Sequence, residues 1–162
     1  MGRKYSQIKC ATLRSVHVGI GPPNTPFEEC CHGFRTYLGH PQLVEDVLAH
    51  HPRLRLYASH AGYPFGDEMV ALMSDYPNLY VDVAAIAWPD LVPQAAFYAY
   101  LQRLVALGFA DRIMFGSDYA GAVGPVIEAI NAAPFLTHAQ RVGILCGNAV
   151  KFLRLTDVAC GP

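Results

Sequence analysis

Two short motifs place a histidine and an aspartate where predicted β-strands end. The segment SHAG at residues 59–62 carries His60, and the segment FGSDY at residues 115–119 carries Asp118. A third candidate, His17, follows a run of strand-forming residues. Imidazole nitrogen and carboxylate oxygen are ligands that Zn²⁺, Mn²⁺ and Fe²⁺ accept. A divalent ion with an open coordination position would lower the pKa of a bound water toward about 7 and make it a nucleophile.

The position of these three side chains depends on the strands that deliver them. The predicted strands cover residues 11–19, 54–60, 79–84 and 112–118. Helical patterns separate them, which predicts an α/β fold with a parallel sheet and about four βα units. The carboxyl ends of parallel strands are where ligands gather, so His17, His60 and Asp118 are expected to converge. A single histidine at a strand end is more often a hydrogen-bonded or exposed residue, so the prediction rests on three matching positions.

Local signals indicate where helices begin and end. Pro93 and Gly108 flank a long helical pattern, and Thr137 and Gln140 have capping-box spacing. Asp67 is the predicted N-cap of the helix that follows SHAG. Residues 20–39 show no clear period and are expected to form an irregular loop over the strand ends, with disorder as the alternative.

Composition limits the classes of partner and compartment. The net charge is −1, with 12 basic and 13 acidic residues spread along the chain, which favours a small-molecule substrate over a nucleic acid. The 162 residues fit a single domain, 1–162, but fall well short of the roughly 250 of a complete (β/α) barrel. No apolar run reaches the roughly 18 residues of a membrane span, and a signal-peptide pattern is absent, so the cytoplasm is the expected location.

Several other residues have weaker claims to a function. The five cysteines show no CxxC spacing and are expected to be reduced thiols. Asp82, inside YVDVA, is either a carboxylate that orients a ligand or a buried carboxylate that satisfies a nearby loop. Tyr63, Phe65 and Trp88 follow strand ends, where they line a substrate pocket or pack loops onto the core.

The ordered set of motifs resembles the amidohydrolase-related metal-dependent hydrolases, the family that includes amino-carboxymuconate-semialdehyde decarboxylase. The resemblance is carried by HPRLRLYASHAGYPFGDE, YPNLYVDVA, GFADRIMFGSDY and GNAVKFLRL, and is best over residues 41–155. It implies a distorted TIM barrel that binds a divalent ion, Zn in the first place and otherwise Mn or Fe. It also implies that His17 is a metal ligand, that His60 binds the metal or assists catalysis, and that Asp118 binds the metal or acts as a general base.

The resemblance covers only the second half of such a barrel. The HxH pair that the family carries on its first strand occurs nowhere in the sequence. We therefore expect a partial TIM-type barrel, a fragment of a metal-dependent hydrolase acting on a small organic acid, amide or lactone-type substrate. The alternatives are a non-oxidative decarboxylase of the same family, or a non-catalytic half barrel that associates with another chain. A homo-oligomer through the open sheet edges is one form of such association.

Overall fold

The computed structural model describes residues 13–19 and 36–161. Within them, the strands are β1 (Leu13–Val16), β2 (Arg55–Ala58), β3 (Leu79–Asp82) and β4 (Ile113–Met114). They form one parallel sheet in the order β1-β2-β3-β4. The helices are α1 (Glu45–His50), α2 (Gly66–Asp75), α3 (Gln94–Ala106), α4 (Val123–Ala132), α5 (His138–Val142) and α6 (Asn148–Leu153), with a π-helical turn at Gly143–Gly147 between the last two. The predicted α/β fold is confirmed.

Two of the three predicted helix signals are confirmed. The Thr137 hydroxyl accepts a hydrogen bond from the Gln140 N–H at 3.2 Å, and the Gln140 side chain accepts one from the Thr137 N–H at 2.9 Å. Pro93 precedes α3, and Gly108 follows it with a φ of 88° that suits glycine. The longest of the described helices, α3, has 13 residues, and none of the described helices could span a membrane.

The predicted N-cap at Asp67 is wrong. Helix α2 begins at Gly66 and its N-cap is Phe65, which makes no side-chain capping bond. The Asp67 carboxylate lies in the first turn, where the helix dipole favours a negative charge, and pairs with Arg103 of α3 at 2.6 Å. The Tyr63-Pro64 peptide bond just before the helix is cis.

The two faces of the sheet contact different parts of the chain. One face of the sheet lies in the main apolar core, together with residues of α2, α3 and α4. The strand residues on this face are Leu56, Ala58, Leu79, Val81 and Ile113. On the other face, Tyr57, Tyr80 and Met114 pack against Phe152 of α6. The Arg55 guanidinium also donates a hydrogen bond to the Phe152 carbonyl, which attaches α6 to the start of β2.

The outer edge of β4 is covered by the segment that joins α5 to α6. The Phe115 N–H donates to the Ile144 carbonyl at 2.7 Å, and the Asn148 amide donates to the Ile113 carbonyl at 2.6 Å. These bonds satisfy outward-facing backbone groups along β4, whose observed range, Ile113–Met114, is shorter than the predicted strand at 112–118. At β4 this corrects the expectation of open sheet edges, while at the other end of the sheet β1 pairs with β2 alone among the described strands.

The expectation that all cysteines are reduced is also wrong. Cys146 and Cys160 form a disulfide that ties the C-terminal tail to the π-helical turn, with a Cα–Cα distance of 5.7 Å. A separation of 14 residues in the sequence gives no sign of this contact. Cys10, Cys30 and Cys31 lie outside the described residues, as does most of the predicted loop at 20–39.

Candidate functional site

A tight bend of three residues with positive φ follows β2. The φ angles are 60° at His60, 45° at Ala61 and 69° at Gly62. Only glycine adopts this region freely, and each of the other two residues costs on the order of 1–3 kcal/mol. All three residues are buried. A strained, buried bend persists only where its surroundings hold it, and such bends cluster at functional sites.

Two side chains from neighbouring elements hold the bend. One oxygen of the Asp82 carboxylate accepts the His60 N–H at 2.9 Å and the Ala84 N–H at 3.0 Å. The Tyr100 hydroxyl, from α3, donates to the Ala61 carbonyl at 2.7 Å. Burial raises the pKa of Tyr100, which keeps that hydroxyl protonated as the donor. The bend is therefore fixed from β3 and from α3.

Asp82 is a buried carboxylate, with 7% of its surface exposed. Burial raises the pKa of Asp82, while the backbone hydrogen bonds from His60 and Ala84 and a side-chain hydrogen bond from Ser59 oppose the rise. The geometry is compatible with both sequence hypotheses for Asp82, because the loop N–H groups that its carboxylate satisfies belong to His60 itself and to Ala84, which accepts the His60 ring N–H.

The hydrogen bond made by the His60 ring determines its tautomer. Its Nδ1 lies 2.9 Å from the Ala84 carbonyl oxygen, and a carbonyl can only accept. Nδ1 therefore carries the proton, and in the neutral ring Nε2 carries the lone pair. Histidines that bind metal ions use this arrangement, in which the second nitrogen donates to a carbonyl or carboxylate. His60 is 2% exposed, so the ring is almost wholly enclosed.

His17 lies beside His60. It follows β1 directly, and the two ring centroids are 4.7 Å apart with an interplanar angle of 69°. The His17 side chain is exposed, whereas that of His60 is buried. The structure thus brings together two of the three predicted ligands, which are 43 positions apart in the sequence.

Asp118 is placed differently from the two histidines. It lies four residues beyond β4, is exposed and has a φ of 65°. In the part of the chain that the structure describes, no group of three or more His, Cys, Asp or Glu residues could hold a metal ion. The donor types of His17, His60 and Asp118 still suit a divalent ion, since two are imidazoles in contact and one is an accessible carboxylate. Ligation by these three residues stays a prediction.

The alternation of side chains along a strand does not predict the directions of the His60 and Asp118 side chains. The sequence predicts that Leu56, Ala58 and His60 share one face, and that Met114, Gly116 and Asp118 share the equivalent face. In the structure, Leu56 and Ala58 lie in the main core, while Met114 packs against Phe152 on the opposite side. Both strands end before the candidate residues, so the period of two does not reach them.

The predicted aromatic cluster is divided between two places. Trp88 stacks on Tyr119, with centroids 5.8 Å apart, next to Asp118. Tyr63 and Phe65 instead line a shallow cavity of about 400 Å³. Its other lining residues are Pro64, Gly66, Asp67, Glu68, Tyr100 and Arg103. Sequence reasoning missed Tyr119, although its place directly after Asp118 is the signal that could have found it.

Comparison with known proteins identifies the family. A family model for amidohydrolases matches residues 15–155, a span that includes His17, His60 and Asp118. The chain belongs to the amidohydrolase family. The resemblance predicted from the motifs is thereby confirmed. No curated protein sequence matches the chain.

Solved structures show how much of an amidohydrolase fold is present. A protein of Lactobacillus casei assigned as a metal-dependent hydrolase has 28% identity and a TM-score of 0.61, over 86% of this chain and 38% of its own. An amidohydrolase of Burkholderia multivorans with bound zinc has 18% identity and a TM-score of 0.55, over 72% and 49%. The 2,6-dihydroxybenzoate decarboxylase of Rhizobium has 17% identity and a TM-score of 0.59, over 88% and 51%. The chain spans about half or less of these structures, and a TIM-barrel protein is among the matches, so the partial barrel is confirmed.

Substitutions at Asp118 test its backbone conformation. Asp118→Gly and Asp118→Ala both remove the exposed carboxylate, but alanine keeps a Cβ that is strained at positive φ. We expect the glycine variant to be the more stable by about 1 kcal/mol in the free energy of unfolding, measured by urea titration. At Glu128, exposed within α4, the order should reverse because alanine favours the helix. An alanine variant at 118 as stable as the glycine variant would contradict the left-handed conformation.

Proposed function

We propose that His17, His60 and Asp118 belong to a divalent metal site of an amidohydrolase that hydrolyses a small organic acid, amide or lactone-type substrate. The observation that carries the proposal is the His60 ring. Its Nδ1–H is committed to the Ala84 carbonyl, its Nε2 is the basic nitrogen, and a second histidine lies in ring contact with it. A buried histidine oriented in this way fits the role of a metal ligand better than the role of a solvent-facing residue.

Zinc is the proposed ion, with manganese and iron as alternatives. A structurally similar amidohydrolase holds zinc, and the two imidazoles and carboxylate match the ligands that zinc accepts. When bound, the ion would supply a Lewis acid that polarises a carbonyl and lowers the pKa of a water molecule. His17 and His60 would hold it through ring nitrogens.

The chain's own residues would perform the proton transfers. The exposed Asp118 carboxylate can accept a proton from water that reaches the strand ends. His60, with its Nδ1 hydrogen bond fixed, would either bind the ion through Nε2 or first take up a proton at Nε2, from water or through Asp118, and then pass that proton to the leaving group. The stacked Trp88 and Tyr119 rings lie beside Asp118 and offer a flat apolar surface for the substrate.

Decarboxylation is the second candidate function. A dihydroxybenzoate decarboxylase shares the fold over 88% of this chain. The same two histidines would then help to anchor the substrate carboxylate instead of activating water.

Zinc titration tests the proposed ligands. We expect one zinc per chain by elemental analysis and calorimetric titration. His17→Ala and His60→Ala should each weaken binding by more than the roughly 10–100-fold typical of losing a supporting residue. His138→Ala, which removes an exposed histidine at the start of α5, should bind zinc like the unaltered chain. Equal affinity in all three variants would exclude His17 and His60 as ligands.

The reaction products test the role of Asp118 and the type of chemistry. In a preparation that turns over, Asp118→Asn should lower the rate by about 10²–10⁴, the range that a general base contributes. Asp75→Asn, at the exposed end of α2, is the control and should leave the rate unchanged. If the chain is a hydrolase, it should convert members of a panel of amides, lactones and carboxylic acids without releasing CO₂. Release of CO₂ would support the decarboxylase instead, and an unchanged rate in Asp118→Asn would overturn the assigned role.

We also propose that a second copy of the chain packs along β1. This strand ends the described sheet, and Arg14 and Ser15 within it are exposed. The edge of β4 is less suited, because Ile144 and Asn148 occupy its outer hydrogen-bonding groups. Two copies related by a two-fold axis would pair their β1 strands antiparallel and continue the sheet.

Solution mass tests this association. Light scattering on the purified chain should give about twice the 17.7 kDa of one copy. A mass of 17.7 kDa at micromolar concentration would contradict the pairing.

A further inference from the structure

Asp82 occupies a position between the ends of three strands. Its carboxylate bonds the His60 N–H just beyond β2 and the Ala84 N–H just beyond β3. Gly116, just beyond β4, packs against it so closely that an added Cβ would lie 3.1 Å from the Asp82 Cγ and 3.0 Å from the Ala84 Cβ. One side chain thus contacts the segments after β2, β3 and β4.

The hydrogen bonds around Asp82 form a closed circuit with the His60 ring. The Asp82 oxygen holds the backbone N–H of His60 and that of Ala84, at 2.9 Å and 3.0 Å. The Ala84 carbonyl in turn accepts the His60 Nδ1–H at 2.9 Å. Asp82 therefore fixes both the residue that donates the ring hydrogen bond and the residue that accepts it.

We infer that Asp82 is a positioning residue that sets the tautomer of His60. By holding Ala84 against the ring, it keeps the proton on Nδ1 and leaves Nε2 as the basic nitrogen. The inference rests on the proposed function only in that Nε2 is the atom assigned to the ion or the leaving group. The tautomer itself is a property of the chain without any ion.

A purely structural role for Asp82 is the competing explanation. Loss of any buried, hydrogen-bonded side chain destabilises a protein, so stability alone cannot separate the two. Asn148 is the matched control, because it is equally buried, at 7% exposed, and its amide bonds the carbonyls of Ala110 and Ile113. In the described contacts it touches neither His60 nor Ala84.

Asn in place of Asp82 is the conservative variant. Its side-chain carbonyl can still accept both N–H groups, and its amide can still meet the Ser59 hydroxyl. Asp82→Ala removes the carboxylate oxygen, so that the His60 and Ala84 N–H groups both lose this hydrogen bond. The two variants therefore differ mainly in whether the circuit around the His60 ring survives.

The experiment reads the His60 tautomer by long-range ¹H–¹⁵N NMR on metal-free, histidine-labelled chain. The pH is set about two units above the ordinary imidazole pKa of about 6.5, and His60→Ala assigns the signal. We expect the Nδ1–H tautomer in the unaltered chain, in Asp82→Asn and in Asn148→Ala. In folded Asp82→Ala we expect averaged ring-nitrogen shifts from a mixture of tautomers. We expect its urea midpoint to fall no further than that of Asn148→Ala, so that a general loss of stability would not account for the change.

Two results would overturn the inference. One is a folded Asp82→Ala with the unaltered His60 signal, and the other is an Asn148→Ala variant whose His60 signal changes as much. If Asp82→Ala does not fold, Gly116→Ala takes its place, because the new methyl presses on the carboxylate without removing it. An unaltered His60 signal in Gly116→Ala would then count against the inference, and a shifted one would support it.

Zinc titration of the same variants separates this inference from the proposed function. Asp82→Ala should bind zinc about 10–100-fold more weakly than Asn148→Ala, as expected when the support of a ligand is lost. Equal binding by those two variants would overturn the positioning role while leaving the metal site in place. No binding by the unaltered chain would overturn the metal site, and the NMR result would still decide the role of Asp82.

Discussion

The buried hydrogen bonds of Asp82 are the constraint on which the candidate site depends. A carboxylate inside a parallel sheet is unfavourable unless donors surround it, and here the donors come from the two backbone segments that must turn sharply. Both turns carry strain, since His60 and Ala61 after β2 and Ala85 after β3 have positive φ. The carboxylate and the bend therefore depend on each other. Without the bend Asp82 would lack a donor, and without Asp82 the bend would lose a main source of its stability.

Other parts of the chain cover both faces of the sheet around this arrangement. Helices α2 and α3 cover the face that carries Leu56 and Val81, and Tyr100 reaches from α3 to the Ala61 carbonyl. On the opposite face, Phe152 packs on Tyr57 and Tyr80. The segment before α6 occupies the outer edge of β4. In consequence the two ends of the described sheet differ, since β4 is bonded along its outer edge by Ile144 and Asn148, whereas β1 pairs with β2 alone among the described strands.

Sequence patterns predicted the elements well because those patterns are local. Alternating helical and strand periods gave the parallel sheet, and the Thr137–Gln140 spacing gave a capping box that the structure contains. Features that depend on contacts distant in sequence were missed. The Cys146–Cys160 bond and the hydrogen bond of Ile144 to the edge of β4 join segments whose proximity is a product of the whole fold. For Asp82 the sequence indicated two possible roles but not its partners, His60 and Ala84. The Asp67 cap failed because Phe65 and Gly66 already begin the helix.

The same distinction explains why the three predicted ligands are not equally well determined. His60 is oriented by hydrogen bonds through its backbone and its ring, so its position follows from the buried structure. Asp118 lies in an exposed segment beyond a two-residue strand, beside the stacked pair of Trp88 and Tyr119. A metal site built from these residues would combine an imidazole that the core already holds in place with a carboxylate that is exposed to solvent. Its affinity would therefore depend more on what orders the Asp118 segment than on the histidine that the core already holds.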